Sequence, residues 1–315
     1  MTMPRWVRHR YASLVVLAVV IALLPLLFPS SYYYRVAALV WVSALAAIGL
    51  NILMGKAGQV SLGHAGFFGI GAYAVAIGPT HLGVPPLASL LIGAVLSAAL
   101  AYLVGRPILR LKGHYLAIAT LGLGVLVALV ITTEIRWTGG PDGMPVKKLV
   151  VFGWRASGAD TWYWITAGML LIGTWLALNL DDTPTGRAFR ALHDSEIAAR
   201  VAGVHVDRFK LQAFVIAAVY ASLAGSALAL MNGFVNPDQA GFLHSVEMVT
   251  MVVLGGLGSV IGSIVGAAVL IMLPQALTVF QEYEHLLLGF LIIVSMIFMR
   301  DGIVPMLAKL PGRRA

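Results

Sequence analysis

The sequence predicts an all-α polytopic membrane protein, and three observations predict it. The 315 residues are 60% apolar and only 11% charged, whereas an ordinary soluble domain is about a quarter charged. The uncharged runs have the length of membrane crossings. The basic residues are spread among the gaps between those runs, so the net charge of +8 does not form the single basic face of a nucleic-acid binder. No cysteine is present, which excludes disulfide frameworks and cysteine metal sites and leaves the redox compartment open. The expectation is one domain over residues 1–315 with about ten crossings, some of them interrupted by glycine.

In chain order, the first crossing comes from the 24 uncharged residues between Arg10 and Arg35. Basic residues before an apolar run also begin a secretory signal peptide, but this run is too long for a signal core and Pro25 to Ser31 offers no small-x-small cleavage site. Between Arg35 and Lys56 lie 20 uncharged residues, enough for one crossing of a core of roughly 30 Å at a rise of about 1.5 Å per residue. The 49 uncharged residues between Lys56 and Arg106 give two, separated by a turn at Gly78 to Pro86. Single crossings follow from Lys112 to Glu134, from Asp160 to Asp181, and from Lys210 to Asp238. The stretch from Phe242 to Phe280 holds two short crossings, and a last helix runs from about His285 to Met299.

Charge sets the expected orientation. With both termini cytoplasmic, 16 of the 21 basic residues fall on inner segments, as the positive-inside rule requires. Four of the five exceptions, Arg136, Lys147, Lys148 and Arg155, cluster in an external loop over 134–161. There Thr138 to Met144 reads TGGPDGM, a succession of turn residues that predicts a compact cap.

The inner loop over 181–210 carries five acidic and five basic residues, which suits a folded cytoplasmic element better than a polybasic lipid arm. Thr183-Pro184 supplies an N-cap and first-turn proline. A second helix is expected to start at Asp194 and close at Gly203. Ile197, Ala198, Val201 and Ala202 share its apolar stripe, with Glu196 and Arg200 in the favourable i, i+4 order. Small side chains on that stripe favour docking against another protein over membrane insertion.

Lys56 to Ile77 reads KAGQVSLGHAGFFGIGAYAVAI. Gln59, Ser61 and His64 gain nothing from lipid, so the segment is expected to be a discontinuous helix. Its polar groups either line a transport path or brace close helix packing through small residues. Phe67, Tyr73 and Thr120 complete the candidate path, with Gly58, Gly63 and Gly66 as the glycines of the break. A second interruption, Leu254 to Ala267, carries Gly255, Gly256 and Gly258. Glu247, the one carboxylate inside an expected span, is either a substrate or proton site or an interfacial partner of His244, and the charge cost favours the partner. The histidines, His64, His114 and His205 among them, show no metal-ligand spacing. No phosphate-binding G-x-x-x-x-G-K-[ST] or G-x-S-x-G is present, so the chain carries neither its own ATPase motif nor a catalytic constellation.

Five ordered motifs, GKAGQVSLGHAGFFGIGAY, GHYLAIATLGLG, TGGPDGM, GRAFRALHDSEIAARVAGV and VVLGGLGSVIGSIVGA, resemble the branched-chain amino acid ABC importer permeases of the LivM/LivH type, and the second and third lean to the LivM side. The resemblance implies a permease of the bacterial inner membrane that pairs with a second, LivH-like permease. Two cytoplasmic ATPase subunits, which bind the ATP, and a periplasmic or lipid-anchored substrate-binding protein complete the implied assembly. No cofactor or metal is implied for the chain itself. The family's coupling segment falls on Asp194, Glu196, Ala198, Ala199, Arg200 and Gly203, with His193 where relatives often carry arginine. Family members carry leucine, isoleucine and valine, other amino acids, urea or short amides. The implied function is therefore amino-acid import, with a urea or amide permease as the alternative within transport. A proton-coupled carrier using Glu247 and a membrane-embedded enzyme are the readings from other classes.

Overall fold

The computed structural model describes residues 5–111, 113–151, 154–276, 289 and 302–309. Apart from Gly289, the expected last crossing at His285–Met299 lies outside the described residues, as do Lys112 and the stretch from Thr278 to Phe280. The described chain is built almost wholly of helices: α1 (Arg5–Leu23), α2 (Ser31–Asn51), α3 (His64–His81), α4 (Pro86–Ile108), α5 (His114–Thr133), α6 (Ile135–Thr138), α7 (Ala159–Leu180), α8 (Pro184–Asp194), α9 (Glu196–Val201), α10 (Val206–Asn232), α11 (Phe242–Gly255), α12 (Val260–Ala276) and α13 (Ile303–Lys309). Among the described residues, five helical segments are long and apolar enough to cross a membrane: Ser31–Lys56, Pro86–Ile108, His114–Thr133, Ala159–Leu180 and Val206–Asn232.

Helix α2 sits at the centre because it is apolar on every side, as a helix enclosed by other helices must be. It packs on α7, α10, α11 and α12, while α10 also packs on α3 and α4. The outer faces of α1, α4, α5 and α7 expose Val16, Val95, Leu126 and Ile172, which suits contact with lipid. Between α3 and α10 the backbones approach closely: Ser226 donates to the Gly71 carbonyl at 2.8 Å. Small residues and a hydroxyl bridge are the expected adhesives where apolar burial gives no advantage over lipid.

The turn expected at Gly78 to Pro86 is shorter than the sequence indicated. α3 continues through Pro79 to His81, since a proline near the end of a helix breaks few backbone bonds. Residues 82–85 make the turn, and the Lys147 ammonium donates to the otherwise orphaned Pro79 carbonyl at 2.5 Å.

The loop after α5 folds as its turn residues predict. Gly139, Gly140 and Gly143 have positive φ, and Thr138 Oγ1 donates to the Ile131 carbonyl at 2.6 Å. Strand β1 (Met144–Pro145) pairs antiparallel with β4 (Phe234–Val235), and β2 (Val150–Val151) pairs with β3 (Trp154–Arg155). The loop is thereby tied to the end of α10. α11 and α12 form a hairpin of two short helices, as expected for that stretch. At about 1.5 Å per residue α11 is only about 21 Å long.

Candidate functional site

The first interruption starts where α2 loosens. Its last turn, Ile52–Lys56, is π-helical, a form found often at functional sites. Residues 57–63 are then irregular before α3 begins at His64. Gly58 takes the left-handed φ of 67° that ends the turn.

Side chains from other helices hold this irregular segment. Thr120 Oγ1 of α5 accepts from Leu62 N at 3.1 Å, and Ser245 Oγ of α11 accepts from Ala65 N at 3.0 Å. These two hydroxyls satisfy backbone donors that the start of α3 cannot satisfy internally. Thr120, a candidate path residue, therefore braces the break. Gly66, expected to be part of the break, lies inside α3 and faces Gly124 of α5.

Gln59, Ser61 and His64 are almost completely buried, at 2%, 1% and 0% exposure. No polar side-chain atom of Gln59 or Ser61 meets a hydrogen-bond partner, and the His64 ring lies against the Ala217 backbone. Buried polar atoms are normally paired, and leaving one unpaired costs about 1–3 kcal/mol. Tyr73, Ser97, Thr174 and Ser222 also carry buried side-chain atoms without a partner, so what marks Gln59, Ser61 and His64 is their proximity at a helix break. Phe67 closes one side, edge-on to the His64 ring at 5.7 Å and to Phe214 of α10 at 5.5 Å.

The other candidates divide. Tyr73 is buried in a second apolar cluster with Met144, Val146 and Val235 of the loop segments, more than two turns along α3 from His64. Glu247 is bonded to His244 Nδ1 at 3.0 Å, the pairing the charge cost favoured, and the His244 ring packs edge-on against Phe68 at 4.7 Å.

The second interruption meets the first. Gly256 and Gly258 turn the chain between α11 and α12 with φ of 114° and 80°. Asn51, the last residue of α2, binds that turn: its amide donates to the Ser259 carbonyl at 2.8 Å and to Ser263 Oγ at 2.7 Å, and its Oδ1 accepts from Gly258 N at 2.8 Å. Gly55 packs directly on Gly258. Sequence reasoning passed over Asn51, although an amide inside an uncharged run was itself a signal.

The loop over 181–210 forms two helices. Thr183 caps α8, its Oγ1 accepting from Gly186 N at 3.2 Å. The expected start at Asp194 is corrected: Asp194 ends α8, and Ser195 caps α9 with φ −165°, its Oγ accepting from Ala198 N at 3.2 Å. Gly203 ends α9 as expected, with φ 83°. Gly203 N bonds the Arg200 carbonyl and Val204 N the Ala199 carbonyl, the paired bonds of a Schellman ending.

One further expectation is corrected here. Glu196 pairs with the buried Lys210 of α10, and Arg200 faces Asp207 at 4.0 Å, so the two do not form the expected i, i+4 pair; a buried ammonium outcompetes an exposed neighbour for a carboxylate. Ala199 is buried, whereas Ile197 and Val201 are 76% and 86% exposed. The outward face of α9 is thus apolar and uncovered among the described residues.

These helices touch the break. The Gly58 backbone packs against His193 at the end of α8. Lys56 Nζ lies 2.5 Å from Asp181 Oδ1, with the side chains only 6% and 14% exposed. Among the described residues no group of three or more metal-ligating side chains assembles.

Comparison with known proteins places the chain among transport permeases. The family model for the permease component of the branched-chain amino acid transport system matches residues 32–296. The LivM permease protein of the high-affinity branched-chain amino acid transport system of Escherichia coli K12 is 34% identical over 295 residues, covering 86% of this chain and 69% of the relative. The corresponding LivH protein of the same strain is 25% identical, covering 83% of this chain and 90% of the relative. The autoinducer 2 import system permease protein LsrC of Klebsiella pneumoniae is 32% identical over 55% of this chain and 50% of its own length. No solved structure matches the chain.

Proposed function

Because the chain belongs to the branched-chain amino acid transport system permease family, we propose that it is a transmembrane subunit of an ATP-driven importer for branched-chain or similarly small amino acids. Its proposed partners are a LivH-like second permease, two ATPase subunits that bind the ATP, and an external substrate-binding protein. The proposed setting is the bacterial inner membrane, with the α8–α9 end and both termini facing the cytoplasm.

The observation that carries the mechanism is the contact between the α8–α9 unit and the broken helix. An ATPase seated on the apolar face of α9 pushes a rigid unit joined to α10 through Glu196 and Lys210. The same unit meets the break at Gly58, and Asp181, at the end of α7 just before the unit, holds Lys56. Displacing it moves residues 57–63 against α5, and Gln59, Ser61 and His64 change their surroundings together. Unpaired polar atoms at a helix break can receive the ammonium and carboxylate groups of an amino acid, as broken helices do in other transport proteins.

Two measurements test this. Full-length chain reconstituted with its partner subunits is expected to take up labelled leucine only with ATP, with competition by isoleucine and valine. Preference for urea, or uptake by the chain alone down a proton gradient, would refute it. For the site, Gln59→Leu removes an unpaired buried amide and is expected to leave accumulation of the protein unchanged or higher. Leucine uptake should nevertheless fall about tenfold, the equivalent of about 1.4 kcal/mol. Normal uptake in that variant assigns Gln59 to packing.

A further inference from the structure

One large cavity lies away from the helix break. It lies between the end of α4 and the start of α10, with α7 and α8 at its edge, and encloses about 870 Å³. Three arginines line it, Arg106, Arg110 and Arg208, against one carboxylate, Asp207. Asp207 is directed towards Arg200 at 4.0 Å. Among the described residues, none of the three arginines lies in a salt bridge with a carboxylate.

The other lining is apolar. Leu211, Val215 and Ile216 of α10 form a wall, and the exposed face of α4 continues away from the cavity through Leu103 and Val95, each 67% exposed. Tyr102 fixes the position of Arg106: its hydroxyl bonds the guanidinium, which also lies over the tyrosine ring 4.3 Å from the centroid. A tyrosine with an apolar body and a wet tip marks the level of the membrane–water interface.

We propose that this cavity is a binding site for an anionic phospholipid, with the phosphate among Arg106, Arg110 and Arg208 and one acyl chain along the apolar face of α4. Guanidinium groups present paired N–H donors that match phosphate oxygens. Basic pockets between helices at the membrane surface are where such headgroups bind. A neutral zwitterionic lipid would satisfy the apolar wall equally well but would bring its own cation into a cavity that already holds three. The site is separate from the Gln59–His64 break, and the proposal does not depend on what the chain transports.

The test is native mass spectrometry of the delipidated full-length chain, titrated with phosphatidylglycerol or with phosphatidylcholine of the same acyl chains. Phosphatidylglycerol should be retained preferentially. Arg110→Gln and Arg208→Gln should each weaken its retention about fivefold, from roughly one interfacial charge apiece. Both arginines are exposed, so folding should be preserved, and Arg35→Gln near the opposite end of the bundle serves as the control. Equal retention of the two lipids, the result expected if this face instead seats another protein chain, overturns the proposal. So does unchanged retention in both variants, or displacement of phosphatidylglycerol by millimolar inorganic phosphate alone, which would mark a free-anion site.

Discussion

A chain carrying Ile197→Asp together with Val201→Asp is expected to insert and fold normally but to lose at least about tenfold of its ATP-driven uptake. Both side chains are exposed on α9, at 76% and 86%, and exposed substitutions usually change stability by about 0.5 kcal/mol or less. If an ATPase covers this face, the same substitutions bury two unpaired carboxylates at the centre of an interface, where truncation of a single anchor already costs about 2 kcal/mol or more. Ala199→Asp is the internal comparison. Ala199 is 2% exposed, so its replacement should lower accumulation of the protein itself. Uptake measured per inserted molecule distinguishes the two, and full uptake by the Ile197→Asp, Val201→Asp chain removes α9 from the coupling mechanism.

This prediction depends on a face that the sequence showed only in part. The apolar stripe was readable, because Ile197 and Val201 recur at helical spacing and Gly203 follows where a helix must end. The exact start was not. Asp194 and Ser195 are both good N-cap residues, and only the extended backbone at Ser195 decides between them. The orientation of Ala199 was hidden for the same reason, since moving the start of a six-residue helix changes which side chains face α10.

The long apolar helices were legible because a chain in lipid must satisfy its backbone internally, which forces uncharged runs into helices. The breaks were legible because glycine and polar residues inside such a run need a reason. What holds the breaks was not legible. Lys56 and Asp181 are 125 residues apart, and Asn51 reaches across 208 residues to Ser259. Local periodicity carries no information about such pairs. Lys56 and Lys210 read as loop charges in the sequence, yet both are buried against carboxylates. In these positions Lys56 ties the end of α7, just before α8, to the end of α2, and Lys210 ties α9 to α10.

Replacing Gly63 by valine is expected to cause the other large loss, and to do so by a different route. A Cβ at Gly63 would lie 1.8 Å from the Thr120 carbonyl oxygen, and one at Gly124 would lie 2.7 Å from the Gly63 Cα. Backbone meets backbone at this crossing, so no side-chain rotation can relieve the overlap. Overpacking typically costs about 1–3 kcal/mol, and here the relief must come from moving α5 away from the start of α3. That movement also pulls the Thr120 hydroxyl from Leu62 N, releasing the segment that carries Gln59 and Ser61. The expected result is a severalfold fall in folded protein and, in what remains, loss of uptake beyond the fall in amount. Gly122→Val on α5, the helix that Gly63 packs against, provides the control, because a Cβ there meets nothing within 4 Å. Thermal stability in detergent and uptake per folded molecule measure the two effects separately. If Gly63→Val lowers stability while uptake per folded molecule stays normal, the break is a packing joint, and the transport path must run elsewhere.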